Sequence, residues 1–388
     1  VENKSPSWTT RVVGITLVLA VNVLLILAAE FTVRALRPFP PTTAQTYQSD
    51  AETLYSHTPN SSGWEISPVG EYEPVKLIYN GGGFRGPPLN QKKPPGEVRV
   101  FALGDSIVEG RQVAESDTVS KQLETLLRQG GLNANVINAG VSAYTTTTMN
   151  LMLRNRVAKL DPDVVVAFMF ANDYTDNFVY GNYSAHPIVL SGSVPPELVP
   201  KGLGLAKATT VNEWLRQHSA IFDALASVKA VEVPSTPDTT LSAPRDFVRT
   251  ARAVNKPDLS PEEQRLVDFT HAGLQAMADF CKDRKIAFLV AIVPWPPQVS
   301  KEEWKTGKWR FGYGPDETDM GEIYQKRILD YAKANNIAAI DLLPTFRTRS
   351  TEAPLSRMFF SYDGHLTSAG HEVAARGVLP HVLQSAIK

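Results

Sequence analysis

The chain has 388 residues, enough to bury a large core, and its 43% hydrophobic and 20% charged residues are the make-up of a globular protein. Lys plus Arg (39) nearly cancel Asp plus Glu (40), a formal net charge of -1 with no long basic run, which argues against a nucleic-acid partner. The single cysteine, Cys281, excludes an intrachain disulfide and a Cys-based zinc cluster, and reads as a small buried hydrophobe on a helix.

Residues 12–29 carry no charge and one strongly polar side chain, Asn22. At 1.5 Å rise per residue, this run and its flanks approach the roughly 30 Å of a bilayer core. A secretory cleavage site wants small residues at −1 and −3, and a cut after Ala29 would leave Leu27 at −3. The segment therefore reads as an uncleaved anchor rather than a signal peptide. Lys4 and Arg11 before it match Arg34 and Arg37 after it, so the positive-inside count is tied. A short leading tail and a long following domain suit a single-pass anchor with the domain periplasmic or extracellular. The expected organisation is a tail and anchor over 1–37, a Pro/Thr/Gln-rich linker over 38–50, and one domain over 51–388.

Residues 55–95 hold short apolar stretches and the run Asn80-Gly81-Gly82-Gly83-Phe84-Arg85-Gly86. No Gly-Lys-Ser/Thr follows and no helix opens there, so this is a turn and not a phosphate loop. From Glu97 the pattern changes. An apolar run over 98–103 ends in Gly-Asp-Ser, and a helix over about 118–128 places Val119, Leu123, Leu126 and Leu127 at helical spacing. A strand over 134–138, a helix over 146–160 and a β-branched strand over 163–170 follow. Short buried strands alternating with helices predict a mainly parallel sheet covered on both faces. The alternation stops over 174–259, read as a lid-like insertion with one helix near 211–228. It resumes at Ser260-Pro261-Glu262-Glu263, a capping box with proline at N1 that launches a helix to about 284. A strand over 288–293, a second insertion over 295–321, a helix over 322–334, a strand over 337–342 and a helix from 368 complete the chain.

The chemistry-bearing residues fall at the strand ends. Gly104-Asp105-Ser106 closes one buried strand, Gly140 the next, and Asn172-Asp173 the third. Ligands in open α/β sheets bind outside the carboxyl ends of the strands. A nucleophile beside convergent neutral N–H donors is what a tetrahedral acyl-transfer intermediate needs. The nucleophile elbow G-x-S-x-G occurs nowhere in the chain. The base must come from elsewhere, and Asp363-Gly364-His365 offers one. If that run is extended, residues two apart share a side, and the carboxylate can orient the imidazole. His371 is a rival base on the following helix, and a metal set of Asp363, His365 and His371 is a further reading without additional clustered ligands. Trp295, Trp304 and Trp309 in the second insertion are placed either to stack on a sugar ring or to pack their loop down.

These residues resemble the conserved blocks of the SGNH (GDSL-type) hydrolase superfamily, in order: Gly104-Asp105-Ser106, Gly140, Asn172-Asp173, and Asp363-Gly364-His365-Leu366-Thr367 with Gly370 after it. The resemblance spans about 98–375. It implies a flavodoxin-like three-layer α/β/α sandwich, with Ser106 as nucleophile, His365 and Asp363 completing the triad, and Ser106, Gly140 and Asn172 forming the oxyanion hole. It implies neither cofactor nor metal. Two departures stand out. The usual last block is D-x-x-H, whereas one residue separates Asp363 from His365, a spacing similar to that of polysaccharide-modifying branches; and Ala171 replaces the usual glycine before Asn-Asp. The expected function is a membrane-anchored serine ester hydrolase removing acetyl or short acyl groups from a glycan. The alternatives are an O-acyltransferase on envelope polysaccharide or exopolysaccharide, a lipid esterase, and a non-catalytic scaffold.

Overall fold

The computed structural model describes residues 7–36, 46–67, 69–174, 219–222, 255–303, 305–307 and 321–386. They fall into two compact units. The first contains helix α1 (Trp8–Leu36) and residues 219–222. Over Arg11–Leu36, α1 is long and apolar enough to cross a membrane. Several polar side chains on α1 are satisfied within the unit. Asn22 Nδ2 donates to Val18 O (2.7 Å) and Thr32 Oγ1 to Ala28 O (2.8 Å), each one turn back. Glu30 accepts from Arg34 Nε (2.8 Å), from the Ser219 hydroxyl (3.0 Å) and from the Ala220 N–H (2.7 Å).

The second unit is built on a five-stranded parallel sheet. Its strands are β5 (Val98–Gly104), β6 (Ala134–Gly140), β7 (Val164–Met169), β8 (Ala287–Ile292) and β9 (Ala339–Asp341), in the order β6-β5-β7-β8-β9. Alternation along each strand divides the core. Phe101, Leu103, Val165, Ala167, Val290 and Ile292 face one layer; Val100, Ala102, Val164, Val166, Leu289 and Ala291 face the other. The first layer is covered by α4 (Thr146–Asn155), α5 (Pro261–Asp283) and α7 (Ile323–Ala334), the second by α3 (Val119–Gln129), the single turn α6 (Pro296–Val299), α8 (Leu343–Glu352) and α9 (Ser368–Ala386). This is the three-layer α/β/α sandwich that the alternation predicts. Because both faces are covered, β7 and β8 are unbroken apolar runs, while Arg99 interrupts β5 and Asn135 and Asn138 interrupt β6.

Local signals operate as read. Ser260 Oγ accepts the Glu263 N–H (3.2 Å) while Glu263 Oε2 accepts the Ser260 N–H (2.7 Å), with Pro261 opening α5. Other expectations are corrected. The helix expected over 146–160 stops at Asn155 and continues as a 3₁₀ turn over Val157–Leu160. Tyr47–Asp50, read as the end of a linker, is strand β1, paired antiparallel with β2 (Leu54–His57). A second hairpin, β3 (Ser62–Glu65) with β4 (Val75–Ile78), follows it. Helix α8 was not expected, because only Leu343 and Phe346 are buried along it and it carries almost no apolar stripe. Residues 38–45 of the linker lie outside the described residues. So do most of the insertions over 174–259 and 295–321, including the helix expected near 211–228 apart from residues 219–222.

A core residue and a cap residue should differ sharply in weight. Phe101→Ala, at a fully buried position in central strand β5, should cost about 3–5 kcal/mol. Ser260→Ala, which removes half of the capping box, should cost about 1 kcal/mol, both read from denaturant midpoints at unchanged m-value.

Candidate active site

Strands β6, β5 and β7 are neighbours, so their carboxyl ends bring Gly140, Ser106 and Asn172 to one edge of the sheet. Beyond Gly104 the chain turns at Asp105 into a single helical turn, α2 (Ser106–Glu109). Asp105 caps it: Oδ1 accepts the Ile107 N–H (2.9 Å), and Oδ2 accepts Asn172 Nδ2 (2.8 Å). Burial raises the Asp105 pKa, and the Asn172 hydrogen bond offsets this only in part. Ser106 is thereby fixed at the first position of α2, tied through Asp105 to the strand end that carries Asn172.

Ser106 Oγ lies 2.8 Å from His365 Nε2, and His365 Nδ1 lies 2.5 Å from Asp363 Oδ1. The Asp363–His365 run is not extended, as the two-residue spacing suggested, but a tight turn. Gly364 takes φ +86°, the left-handed region that favours glycine, and its N–H donates to Phe360 O (2.9 Å). The turn brings the Asp363 carboxylate back, so that Oδ1 accepts the backbone N–H of His365 (3.2 Å) as well as meeting its ring. Burial is the largest single influence on His365 and lowers its pKa. The Asp363 charge and hydrogen bond, with Asp105 and Glu65 adding to them, outweigh it and hold the imidazole pKa above its ordinary value.

Gly140 meets the back of α2. A Cβ there would lie 2.3 Å from Glu109 N and 2.7 Å from Val108 C, both backbone atoms, so only glycine lets the two segments approach this closely. Its N–H donates to Asn138 Oδ1 (3.0 Å), and Asn138 Nδ2 donates to Val108 O (2.7 Å). The Gly140 donor is thus engaged within the protein, and an incoming oxygen must compete for it.

The rival base is occupied elsewhere. His371 is buried, and its Nδ1 accepts the Val119 N–H (3.1 Å) at the start of α3. Burial lowers its pKa to about 3, so it serves as a neutral cap. Among the described residues no group of three or more His, Cys, Asp or Glu is placed to hold a metal ion. Trp295 is 3% exposed and stacks on Phe170 (5.1 Å, 15°), packing its loop down, while Trp304 and Trp309 lie outside the described residues.

Several residues around the site carried no signal in the sequence. Glu109, fully buried, accepts from Tyr79 Oη (2.6 Å), Tyr47 Oη (3.0 Å), Ser142 N–H (2.8 Å) and Ser142 Oγ (2.6 Å). Burial would raise its pKa, but His57, Arg111 and the surrounding donors hold it well below the usual carboxylate range. Arg85, from the glycine-rich turn, is also buried; its guanidinium donates to the carbonyls of Glu109 (2.5 Å), Gly110 and Val113 (2.6 Å). A run of glycines followed by one arginine marks a turn, and the partners of that arginine lie 24–28 residues away.

The sequence model of the GDSL-like Lipase/Acylhydrolase family matches residues 102–373, well over half of the chain. No curated protein matches it in sequence. Among solved structures, the chain is similar to a GDSL-like lipase from Bacteroides thetaiotaomicron, at 15% identity over 76% of this chain and 93% of that one, with a TM-score of 0.36. A lipolytic protein of the G-D-S-L family from Desulfitobacterium hafniense gives 12% identity over 73% and 98%, with a TM-score of 0.37. A variant of an acetylxylan esterase from Geobacillus stearothermophilus gives 12% identity over 74% and 94%, with a TM-score of 0.38.

Gly140→Ala should push the Val108–Glu109 backbone, and Ser106 with it, out of place. A displacement of about 1 Å costs on the order of 100-fold, so p-nitrophenyl acetate turnover should fall by about that factor while the circular dichroism spectrum stays native.

Proposed function

We propose that this chain, a member of the GDSL-like lipase/acylhydrolase family and hence an acylhydrolase acting on ester bonds, is a membrane-anchored serine esterase that removes acetyl or short acyl groups from a glycan. The observation that carries the mechanism is the continuous relay from Asp363 through His365 to Ser106. Ser106 Oγ attacks the acyl carbon and passes its proton to His365 Nε2. Asp363 keeps the imidazole oriented and stabilises the imidazolium without taking the proton. The oxyanion is met by the Ser106 N–H, a hydrogen of Asn172 Nδ2 and, in competition with Asn138, the Gly140 N–H. His365 returns the proton to the leaving sugar hydroxyl. Water, deprotonated by the same imidazole, then attacks the acyl-serine; the imidazolium returns that proton to the departing Ser106 Oγ, and the carboxylic acid is released. The glycan reading draws on the D-x-H spacing, and the anchor reading on α1. In this reading residues 1–37 anchor the protein, and the hydrolase domain of 51–388 works on the periplasmic or extracellular side.

The test is a p-nitrophenyl ester series from acetyl to long-chain. Ser106→Ala and His365→Ala should each lower kcat/KM by about 10⁴-fold or more, and acetyl should be the best substrate. A long-chain optimum would move the substrate class to lipids. The pH profile follows from the direction of the His365 shift. Only the neutral imidazole accepts the serine proton, and a raised pKa keeps it protonated to higher pH, so the acid limb of kcat/KM should lie above 6.5, the ordinary histidine value. Asp363→Asn should lower the rate and move the limb down.

A further inference from the structure

The family match begins at residue 102, after the β3–β4 hairpin, yet that hairpin touches both loops of the relay. On one side, Glu65 Oε2 accepts Arg111 Nε (2.9 Å) and Nη2 (2.7 Å), and Arg111 stands five residues beyond Ser106. On the other, Glu71 reaches the loop that holds the acid and the base. Its Oε1 accepts the Tyr362 N–H (2.5 Å) and its Oε2 the Asp363 N–H (2.9 Å), across 291 and 292 residues of chain. Glu71 is itself held: Ser67 Oγ accepts its N–H (2.8 Å), and the ring of the next residue, Tyr72, packs on Phe360 (5.0 Å).

Asp363 has particular need of such a support. In the shortened D-x-H turn its Oδ1 serves both the backbone N–H and the ring of His365, so the aim of the carboxylate depends on the backbone of Asp363 itself. Hydrogen bonds to a charged acceptor are roughly twice as strong as neutral ones, and a carboxylate can take two adjacent N–H groups at once. We propose that the β3–β4 hairpin braces the nucleophile loop against the acid–base loop, and that Glu71 is the positioning residue for Asp363 and, through it, His365. This rests on the triad reading given above. Glu71 touches neither substrate nor reacting atoms; it acts by holding the Asp363 backbone. The loop is also held from behind by Glu303, which accepts the Met358 (3.2 Å) and Phe359 (3.1 Å) N–H groups. Loss of Glu71 should therefore loosen the aim of Asp363 without unfolding the loop.

The experiment compares Glu71→Ala, Glu71→Gln and His365→Ala in the full chain with p-nitrophenyl acetate as probe. Glu71→Ala should lower kcat by about 10- to 100-fold with KM little changed. A less well-aimed Asp363 stabilises the imidazolium less, so the acid limb of kcat/KM should shift to lower pH and the downfield His365 Nδ1 proton resonance should weaken. Glu71→Gln keeps the shape and one acceptor oxygen, and should recover part of each effect. Should Glu71→Ala fail to fold, the near-isosteric Glu71→Gln carries the same three readouts. Wild-type kcat, acid limb and resonance in a Glu71 variant, with only Tm lowered, would overturn the brace and leave the triad standing. Wild-type turnover by His365→Ala would overturn the triad, and the brace with it.

Discussion

A hydrogen bond of 2.8 Å between Ser106 Oγ and His365 Nε2 closes a loop of 259 residues, and the geometry of the whole site follows from what it takes to hold that contact. One end is set by the sheet. Parallel register aligns Gly104 with Gly140 and places β7 on the other side of β5, so Ser106, Gly140 and Asn172 emerge together. The other end is a short loop closed by a single antiparallel bridge, Phe359 with Leu366, and by the Phe360 N–H on His365 O (2.9 Å), so further contacts must hold the residues between them. Entropy explains the need: each backbone residue held in one conformation costs about 1–2 kcal/mol, and a misplaced imidazole forfeits the reaction. The loop accordingly has anchors on several sides, with Glu71 at Tyr362 and Asp363, Glu303 at Met358 and Phe359, and the Thr306 and Gly307 N–H groups on Ser361 O.

The same demand accounts for charges buried far beyond what a core needs. An uncompensated buried charge costs several kcal/mol, so each must be surrounded by partners. Glu109 is enclosed by two tyrosine hydroxyls and both donors of Ser142, two residues past Gly140. Arg85 donates to the carbonyls of Glu109, Gly110 and Val113, at the end of α2 and in the loop that leaves it. A densely hydrogen-bonded polar cluster has few alternative arrangements, and therefore rigidifies what an apolar filling would leave able to slide. Rigid placement of Ser106 and the glycine edge is what an oxyanion-stabilising site requires.

The sequence made the sheet legible because the signals for it are local. Continuous apolar runs in β7, β8 and residues 100–103 of β5, and the capping box at Ser260, need no distant partner to be recognised. Ser106, Asn172 and His365 were legible as a set because each sits beside a strand end or a final helix, in an order that carries meaning. What escaped is what depends on contacts across the chain. β1 to β4 are four residues each and half-polar, so they show no period. Glu71 and Glu109 look like surface carboxylates until the fold supplies their partners. The extended reading of Asp363–His365 failed for a related reason: spacing alone cannot distinguish a strand from a turn whose glycine allows a positive φ.

The proposed chemistry depends on Ser106 as a nucleophile activated by His365. The most direct measurement is reaction of the folded chain with a fluorophosphonate, followed by intact mass and peptide mapping. One equivalent on Ser106, lost in His365→Ala and slowed in acid as the imidazole protonates, is the predicted result. A chain that resists the reagent, or is labelled at another residue, would contradict it.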